Sequence, residues 1–234
     1  MTAIRQYLED LEARIDPAVE DELIAQWREF TAGGWHGPIF SPQRRRRAPP
    51  ALAWPAVRVN EALDDFDRML LQQLAGCSAA LANGTGALLD VRCNYGSSIL
   101  PSVFGVKLFV MDDRYNTLPT TEPIAGGTAA IRRLVEAGVP DLAAGYGPKV
   151  FEMGRRFVAA FAEFPRLRRY IHIYHPDLQG PMDVCEVLWG SGLFVELIDQ
   201  PGLVHRLLAL VCDTYTAFLQ RWQNSAIGLL KMGH

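Results

Sequence analysis

Residues 170–190 constrain the fold more than any other part of the chain. The first of them alternate between apolar and polar side chains, the pattern of a short strand: Ile171, His172, Ile173, Tyr174. Breaks at Pro176 and Pro181 follow, and then apolar residues recur at helical spacing. Pro181 suits the first turn of that helix, because the N–H that proline lacks would be unpaired there. The stretch therefore predicts a strand, a polar loop and a helix, which together form a βα unit.

The polar loop of this unit holds candidate site residues. In βα-built enzymes the loops at the carboxyl ends of the strands carry the chemistry, so we predict His175 and Asp177 as catalytic residues and Gln179 as a substrate ligand. Asp177 would act in proton transfer, which needs a carboxyl group within hydrogen-bond reach of the reacting atom. The alternative for Asp177 is to cap the helix after Pro181. His172 alternates with isoleucines and is expected to be an interior residue.

A second strand is predicted just before Arg92. The run that leads to it begins as an apolar segment and becomes polar at its far end, which places Arg92, Asn94 and Tyr95 at a strand end. We predict that these three residues bind an anionic or carbonyl-bearing substrate. The alternative is a loop whose polar groups satisfy one another. Cys93 lies among them, but it has no second ligand at a recognisable spacing, so no metal ligand is predicted.

The amino-terminal part predicts two helices and a connecting arm. Ile4 to Ile15 recur at helical spacing, and Asp16 with Pro17 supplies a cap and a first-turn proline for the second helix. Residues 33–55 lose all periodicity and contain four consecutive arginines, residues 44–47. These arginines either bind phosphates or acidic substrate groups, or form a solvated or carboxylate-paired stretch.

Three further long helices are predicted. The first begins at Asn60 as its cap and reaches about residue 81, the second covers about residues 149–169 with a stripe of phenylalanines facing the core, and the third begins at Pro201. Residues 226–234 predict the start of another element.

Composition narrows the function classes. The chain has 234 residues, 49% of them hydrophobic, so it can bury a sizeable core. A net charge of -3 gives no general attraction to nucleic acid or to an anionic membrane, and the arginine run lacks aromatic interleaving, so neither partner is predicted. The four cysteines are widely spaced without a CxxC pair, and the amino terminus is charged and amphipathic. A cytoplasmic protein with reduced thiols is therefore predicted.

Several segments resemble the uroporphyrinogen decarboxylase superfamily, which also includes cobalamin-dependent methyltransferases. The likeness covers roughly residues 45–222 and is carried by these segments: His-Pro-Asp-Leu-Gln-Gly-Pro-Met-Asp at 175–183, Leu-Trp-Gly at 188–190 and Asp-Gln-Pro-Gly-Leu-Val-His-Arg-Leu-Leu at 199–208. Residues 92–105, with Pro101 and Phe104-Gly105, resemble the first strand of the family and its following loop.

The resemblance implies an α/β fold of the (β/α)8 TIM-barrel family, preceded by amino-terminal helices. A typical barrel needs about 250 residues, which the chain cannot supply after its amino-terminal helices and arm. We therefore predict an incomplete barrel over residues 59–234, after helices and an arm over residues 1–58. On this interpretation the strands around Val91 and Ile173 must be neighbours in one parallel sheet.

The same resemblance implies a decarboxylase-type lyase of porphyrin metabolism or a methyltransferase-type enzyme, acting on a small or tetrapyrrole-related substrate. The paired-arginine motif of the decarboxylases is absent, and the place of their first-strand aspartate falls at Gly96. In the methyltransferase branch the zinc-type His-x-Cys and a later Cys lie in a carboxyl-terminal half that this sequence lacks. A corrinoid and zinc are thus expected in a complete family member, and neither is required for a decarboxylase.

A second hypothesis is not catalytic. An incomplete barrel would expose the edge of its last strand and helix, and an open sheet edge is a pairing surface. The chain would then be a truncated fragment or an interaction module. Its expected partners are a second copy, giving a homodimer, or a complementing carboxyl-terminal half.

Overall fold

The computed structural model describes residues 2–225, which form mostly helices. The helices are α1 (Thr2–Arg14), α2 (Pro17–Thr31), α3 (Val59–Asp64), α4 (Phe66–Asn83), α5 (Ile99–Val103), α6 (Gly127–Ala137), α7 (Gly147–Phe161), α8 (Pro165–Tyr170), α9 (Pro181–Trp189), α10 (Leu193–Asp199) and α11 (Pro201–Asn224). The strands are β1 (Asp90–Val91), β2 (Lys107–Phe109), β3 (Thr120–Glu122) and β4 (His172–Ile173). The further element predicted over residues 226–234 lies outside the described residues.

Contacts divide the chain into two compact units. The first unit holds the residues up to Arg92 together with Arg156–Tyr174, and the second holds Cys93–Arg155 together with the residues from His175 on. The helix α7 contributes residues to both units. The predicted domain boundary between residues 58 and 59 falls inside the first unit, and it stays a prediction.

The first unit contains a parallel pair of strands, β1 and β4. Val91 lies opposite Ile173, and the N–H of Tyr174 donates to the carbonyl oxygen of Val91 at 2.8 Å. This pairing confirms the prediction that the strands around Val91 and Ile173 are neighbours in one parallel sheet. In the described residues the sheet has these two strands and does not close into a barrel, so the (β/α)8 architecture stays a prediction.

The helices α1 and α2 form where the sequence predicts them. The carboxylate of Asp16 accepts the N–H of Ala18 at 3.0 Å, and Pro17 occupies the first turn of α2. Leu11 of α1, Ile15 between the helices and Leu23 of α2 are buried, whereas Phe30 near the end of α2 is 41% exposed. The cap and the first-turn proline therefore act as expected.

The helix predicted from residue 60 to about 81 is in fact two helices. Asp65 has an extended backbone between α3 and α4, and its carboxylate accepts the N–H groups of Asp67 and Arg68 at 2.7 and 3.0 Å. Asp65 is thus the cap of a second helix. The prediction that Asn60 caps the first helix is wrong, because α3 begins at Val59 and its cap position is Arg58.

The helix predicted over about residues 149–169 is also interrupted. Phe164 is extended before Pro165, and this separates α7 from α8 because the residue before a proline disfavours helical dihedrals. The predicted phenylalanine stripe nevertheless lies in the core, since Phe157, Phe161 and Phe164 are buried.

The second unit combines an antiparallel pair, β2 with β3, and the helices that follow Pro181. Phe151 stacks on Phe218 of α11 with ring centroids 4.8 Å apart. Within the described residues α11 is the one helix whose length and apolarity would allow it to cross a membrane, and a single core helix passes the same test. The cytoplasmic location stays a prediction.

The arginine run in the arm is partly used for structure. The guanidinium of Arg44 binds both carboxylate oxygens of Glu20 at 2.7 and 2.8 Å, and the two side chains are 1% and 3% exposed. Arg45 instead pairs with Glu22 at the surface, at 3.2 Å. The carboxylate-paired alternative therefore holds for Arg44 and Arg45.

We predict that Glu20→Ala destabilises the protein by about 3–5 kcal/mol, because it leaves the charge of Arg44 buried with the carbonyl oxygen of Thr85 as a partner but without a carboxylate. The matched control is Glu22→Ala, which removes an exposed partner and should change the free energy of unfolding by less than about 1 kcal/mol. Urea unfolding of the two variants measures both effects. Equal effects would contradict the interpretation that the buried Arg44–Glu20 pair supports the fold more than the exposed Arg45–Glu22 pair does.

Candidate functional site

The loop after β4 holds the predicted residues His175, Asp177 and Gln179, all in the second unit. His175 is exposed, and its Nδ1 lies 2.9 Å from the carbonyl oxygen of Pro176. Asp177 is half-buried, and its Oδ1 accepts the N–H of Gln179 at 3.3 Å. These contacts fold the loop back on itself and fix Asp177 beside the backbone of Gln179.

The expectation that Asp177 caps the helix after Pro181 is wrong. The cap position of α9 is Gly180, and the carboxylate that accepts its N–H, at 3.3 Å, belongs to Asp183. Asp183 lies in the first turn of the helix and reaches back to the cap residue, as acidic side chains at that position commonly do. Asp177 is therefore not used by the helix.

Gln179 has two unusual features. Its backbone φ angle is +59°, in the left-handed region that residues other than glycine rarely adopt. Its Oε1 is buried and has no hydrogen-bond partner among the described residues. A buried polar atom without a partner costs about 1–3 kcal/mol, and such strained or unsatisfied residues concentrate at functional sites.

The segment after β1 shows the same kind of unsatisfied group. The Oδ1 of Asn94 is buried and also lacks a hydrogen-bond partner among the described residues. The neighbouring Tyr95 is 1% exposed, and its ring centroid lies 5.2 Å from that of Tyr146. Asn94 and Gln179 are the two residues with such an orphaned side-chain oxygen in the part of the chain that the structure describes.

Arg92 lies in the first unit, unlike the other predicted site residues. Its N–H donates to Oε1 of Gln73 at 3.2 Å, and the residue lines a cleft of about 360 Å³ together with Gln72 and Cys77. The five remaining predicted residues group in the second unit: Asn94, Tyr95, His175, Asp177, Gln179.

Sequence reasoning missed Tyr146 and Lys149. The ammonium of Lys149 lies 5.9 Å from the ring centroid of Tyr95 and 6.0 Å from that of Tyr146, within the range of a cation–π contact. The N–H of Tyr146 donates to Oγ of Ser102 at 2.9 Å, which fixes the turn before α7. The sequence contains one signal for Lys149. A lysine in the first turn of a helix interacts unfavourably with the helix macrodipole, so a lysine at that position indicates a favourable interaction with something else.

The residues present do not fit a zinc site. In the described part of the chain no group of three or more His, Cys, Asp or Glu side chains comes together. Burial raises the pKa of the Cys185 thiol to about 12 and also raises that of Cys93, whose Sγ donates to the carbonyl oxygen of Val150 at 3.3 Å. Zinc binds the thiolate, which the burial of these two thiols disfavours. The expected corrinoid stays a prediction for a complete family member.

Comparison with solved structures finds one that shares the fold. A methyltransferase from Methanosarcina mazei superposes with a TM-score of 0.53 and 17% sequence identity, over 69% of this chain. The matched region spans 43% of the methyltransferase chain. No protein-family profile and no curated protein sequence matches the chain. The chain therefore has a methyltransferase-like fold over the matched part.

We predict that Asn94→Leu and Gln179→Met leave the protein equally stable or stabilise it by about 1–3 kcal/mol. Each change replaces an amide, whose oxygen is buried without a partner among the described residues, by an apolar group of similar size, which removes the penalty of burying that oxygen. Thermal and urea unfolding of each variant measure the effect. A loss of more than about 1 kcal/mol in either variant would show that the amide supports the fold and is not held for a ligand.

Proposed function

We propose that the chain belongs to the uroporphyrinogen decarboxylase superfamily and acts in methyl transfer to or from a small substrate. One observation carries the proposal: the paired strands β1 and β4 run parallel, and each of the two segments that follow them holds a buried amide oxygen without a partner. Parallel strands end at the same edge of a sheet, and enzymes of βα construction use the segments that leave that edge.

The amides of Asn94 and Gln179 would bind the polar group of the substrate. A side-chain amide offers both donors and an acceptor, so it can complete the hydrogen bonds of a carbonyl, an amine or a carboxylate. A site built around such groups rejects molecules that leave them unpaired, which gives selectivity. The strained backbone of Gln179 is consistent with this role, because strain is retained where position matters for function.

Tyr95 and Lys149 would form the wall of this site. Tyr95 supplies an apolar face, and Lys149 supplies a positive charge near it. His175 and Asp177 would move a proton to or from the substrate, since an imidazole and a carboxylate are the common groups for this task. Both lie in the segment that also holds Gln179.

Methyl transfer is favoured over decarboxylation. The structure that shares the fold is named a methyltransferase, whereas the paired arginines and the aspartate of the decarboxylases are absent from the sequence. Arg92, which we expected to bind an anionic substrate, groups with the other unit.

We predict that Gln179→Met and Asn94→Leu each lower methyl transfer by about tenfold or more, because each removes a hydrogen bond to the substrate. The matched control is Gln223→Met, which changes an exposed amide on α11 and should leave the rate unchanged. The assay follows an isotope-labelled methyl group from a methyl-corrinoid donor to a panel of small thiols and amines.

Two results would count against the proposal. If no donor and acceptor pair yields labelled product with the full chain, the chain alone is not a methyltransferase. If product forms but Gln179→Met behaves like Gln223→Met, the segments after β1 and β4 are not the site.

The second candidate function is that of an interaction module, and the observation that favours it is α10. Four of the seven residues of this helix are apolar and 42–82% exposed: Phe194, Val195, Leu197, Ile198. Glu196 of the same helix is engaged inside the unit by Thr128, at 2.6 Å, and by Gln200, at 2.9 Å. We propose that a second copy covers this face, because an exposed apolar face can meet itself across a twofold axis and be buried there.

We predict that the purified chain self-associates and that the double change Val195→Ser and Ile198→Ser weakens this association by about tenfold or more, since it removes buried apolar area. The control is Ile39→Ser, which alters a 91% exposed isoleucine in the arm. Sedimentation velocity over a range of concentrations measures the effect. A chain that stays monomeric, or that responds equally to Ile39→Ser, would contradict a dimer through α10.

A further inference from the structure

A cleft of about 500 Å³ in the first unit is lined by an unusual number of arginines. Its charged lining residues are five arginines and two acids: Arg14, Arg44, Arg46, Arg47, Arg166, Asp16, Glu20. The volume lies in the range of small-molecule sites. The cleft is formed by the end of α1, the start of α2, the arm and the end of α4.

Two of the five arginines have their charge compensated inside the protein. Arg44 binds Glu20 through its Nε and Nη2 atoms, and Arg14 pairs with Asp10 at 2.8 Å. The side chains of both pairs are at most 7% exposed. These two arginines therefore build the wall of the cleft and are not available to a ligand.

Arg46 and Arg47 differ from them. Both are exposed residues that line the cleft, and no carboxylate among the described residues is paired with either. Arg166 of α8 is the third arginine of the cleft whose side chain is not bound to a carboxylate of a described residue. Its Nη1 donates to the carbonyl oxygens of Glu12 and Ile15, at 3.3 and 3.0 Å.

The acids near these three arginines are already in use. The carboxylate of Asp16 accepts the N–H of Ala18, and that of Glu12 accepts the N–H groups of Arg166 and Leu167 at 3.1 and 3.0 Å. Both carboxylates keep their negative charge, so three guanidinium groups stand against two carboxylates. The cleft thus has more positive than negative charge within reach of a bound molecule.

The backbone that carries Arg46 and Arg47 is fixed at both ends. The N–H of Arg44 donates to the carbonyl oxygen of Gly84 at 3.0 Å, and the N–H of Ala48 donates to that of Leu81 at 2.9 Å. The guanidinium of Arg14 also donates to the carbonyl oxygen of Ala48, at 2.8 Å. A pre-ordered loop loses less entropy when it binds a ligand.

We propose that this cleft binds a small polyanion that carries phosphoryl or carboxylate groups, through Arg46, Arg47 and Arg166. The guanidinium fork matches the oxygens of both groups and binds them with charge-assisted, often bidentate hydrogen bonds. The site lies in the first unit and uses none of the residues assigned to methyl transfer, so it is independent of that function.

The test is isothermal titration calorimetry of the full chain with two probes, inorganic pyrophosphate and citrate. Binding by the wild-type chain should be saturable, and the double change Arg46→Gln and Arg47→Gln should weaken it by about tenfold or more. Both side chains are exposed and form no ion pair with another described residue, so the variant should unfold at the wild-type temperature. Arg45→Gln is the matched control from the same run, because Arg45 lies outside the cleft lining.

Each result of the titration either supports or overturns the proposed polyanion site. Tight binding of pyrophosphate alone identifies a phosphorylated ligand, and tight binding of citrate alone identifies a polycarboxylate; binding of both supports the shared site. The proposal is overturned if neither probe binds. It is also overturned if Arg45→Gln weakens binding as much as the double change, since the effect would then be one of general charge.

Discussion

The parallel pairing of β1 with β4 is the constraint on which the candidate site depends. Parallel strands cannot be joined by a tight turn, so the chain between Val91 and His172 must include a crossover, and the helices α5 to α8 lie in this interval. Because both strands point the same way, the segments that follow them leave from one edge of the pair. Those segments hold Asn94 and Gln179, whose side-chain oxygens are buried without partners.

Sequence reasoning succeeded where a local pattern decides the outcome. The alternation around Ile173 and the apolar run before Arg92 predicted two strands that do pair, and Asp16 caps its helix as expected. It failed where two signals compete within one periodic run. Asp65 and Pro165 each interrupt a helix whose apolar spacing continues across the break, because a cap and a proline act on the backbone and not on the spacing.

The candidate site shows the same limit. The polar residues after the strands could be named from the sequence, but whether a given amide is satisfied depends on neighbours that are distant in the chain. The cap position of α9 is Gly180, supported by Asp183, and not Asp177, because the loop continues to the Gly-Pro pair before the helix begins. The four arginines of the run also have different environments. Arg44 is buried against Glu20, whereas Arg46 and Arg47 are exposed in the cleft. Four identical residues in a row give no local pattern that predicts this difference.

If the amides of Asn94 and Gln179 belong to one ligand site, a ligand bound there must change the surroundings of both. NMR of the side-chain amide groups of the full chain, assigned with Asn94→Leu and Gln179→Met, measures this during titration with small methyl donors and acceptors. We expect one ligand to shift both amide signals together, with a single dissociation constant. If every ligand that binds leaves these two signals in place, or moves only one of them, the two segments do not form a common site.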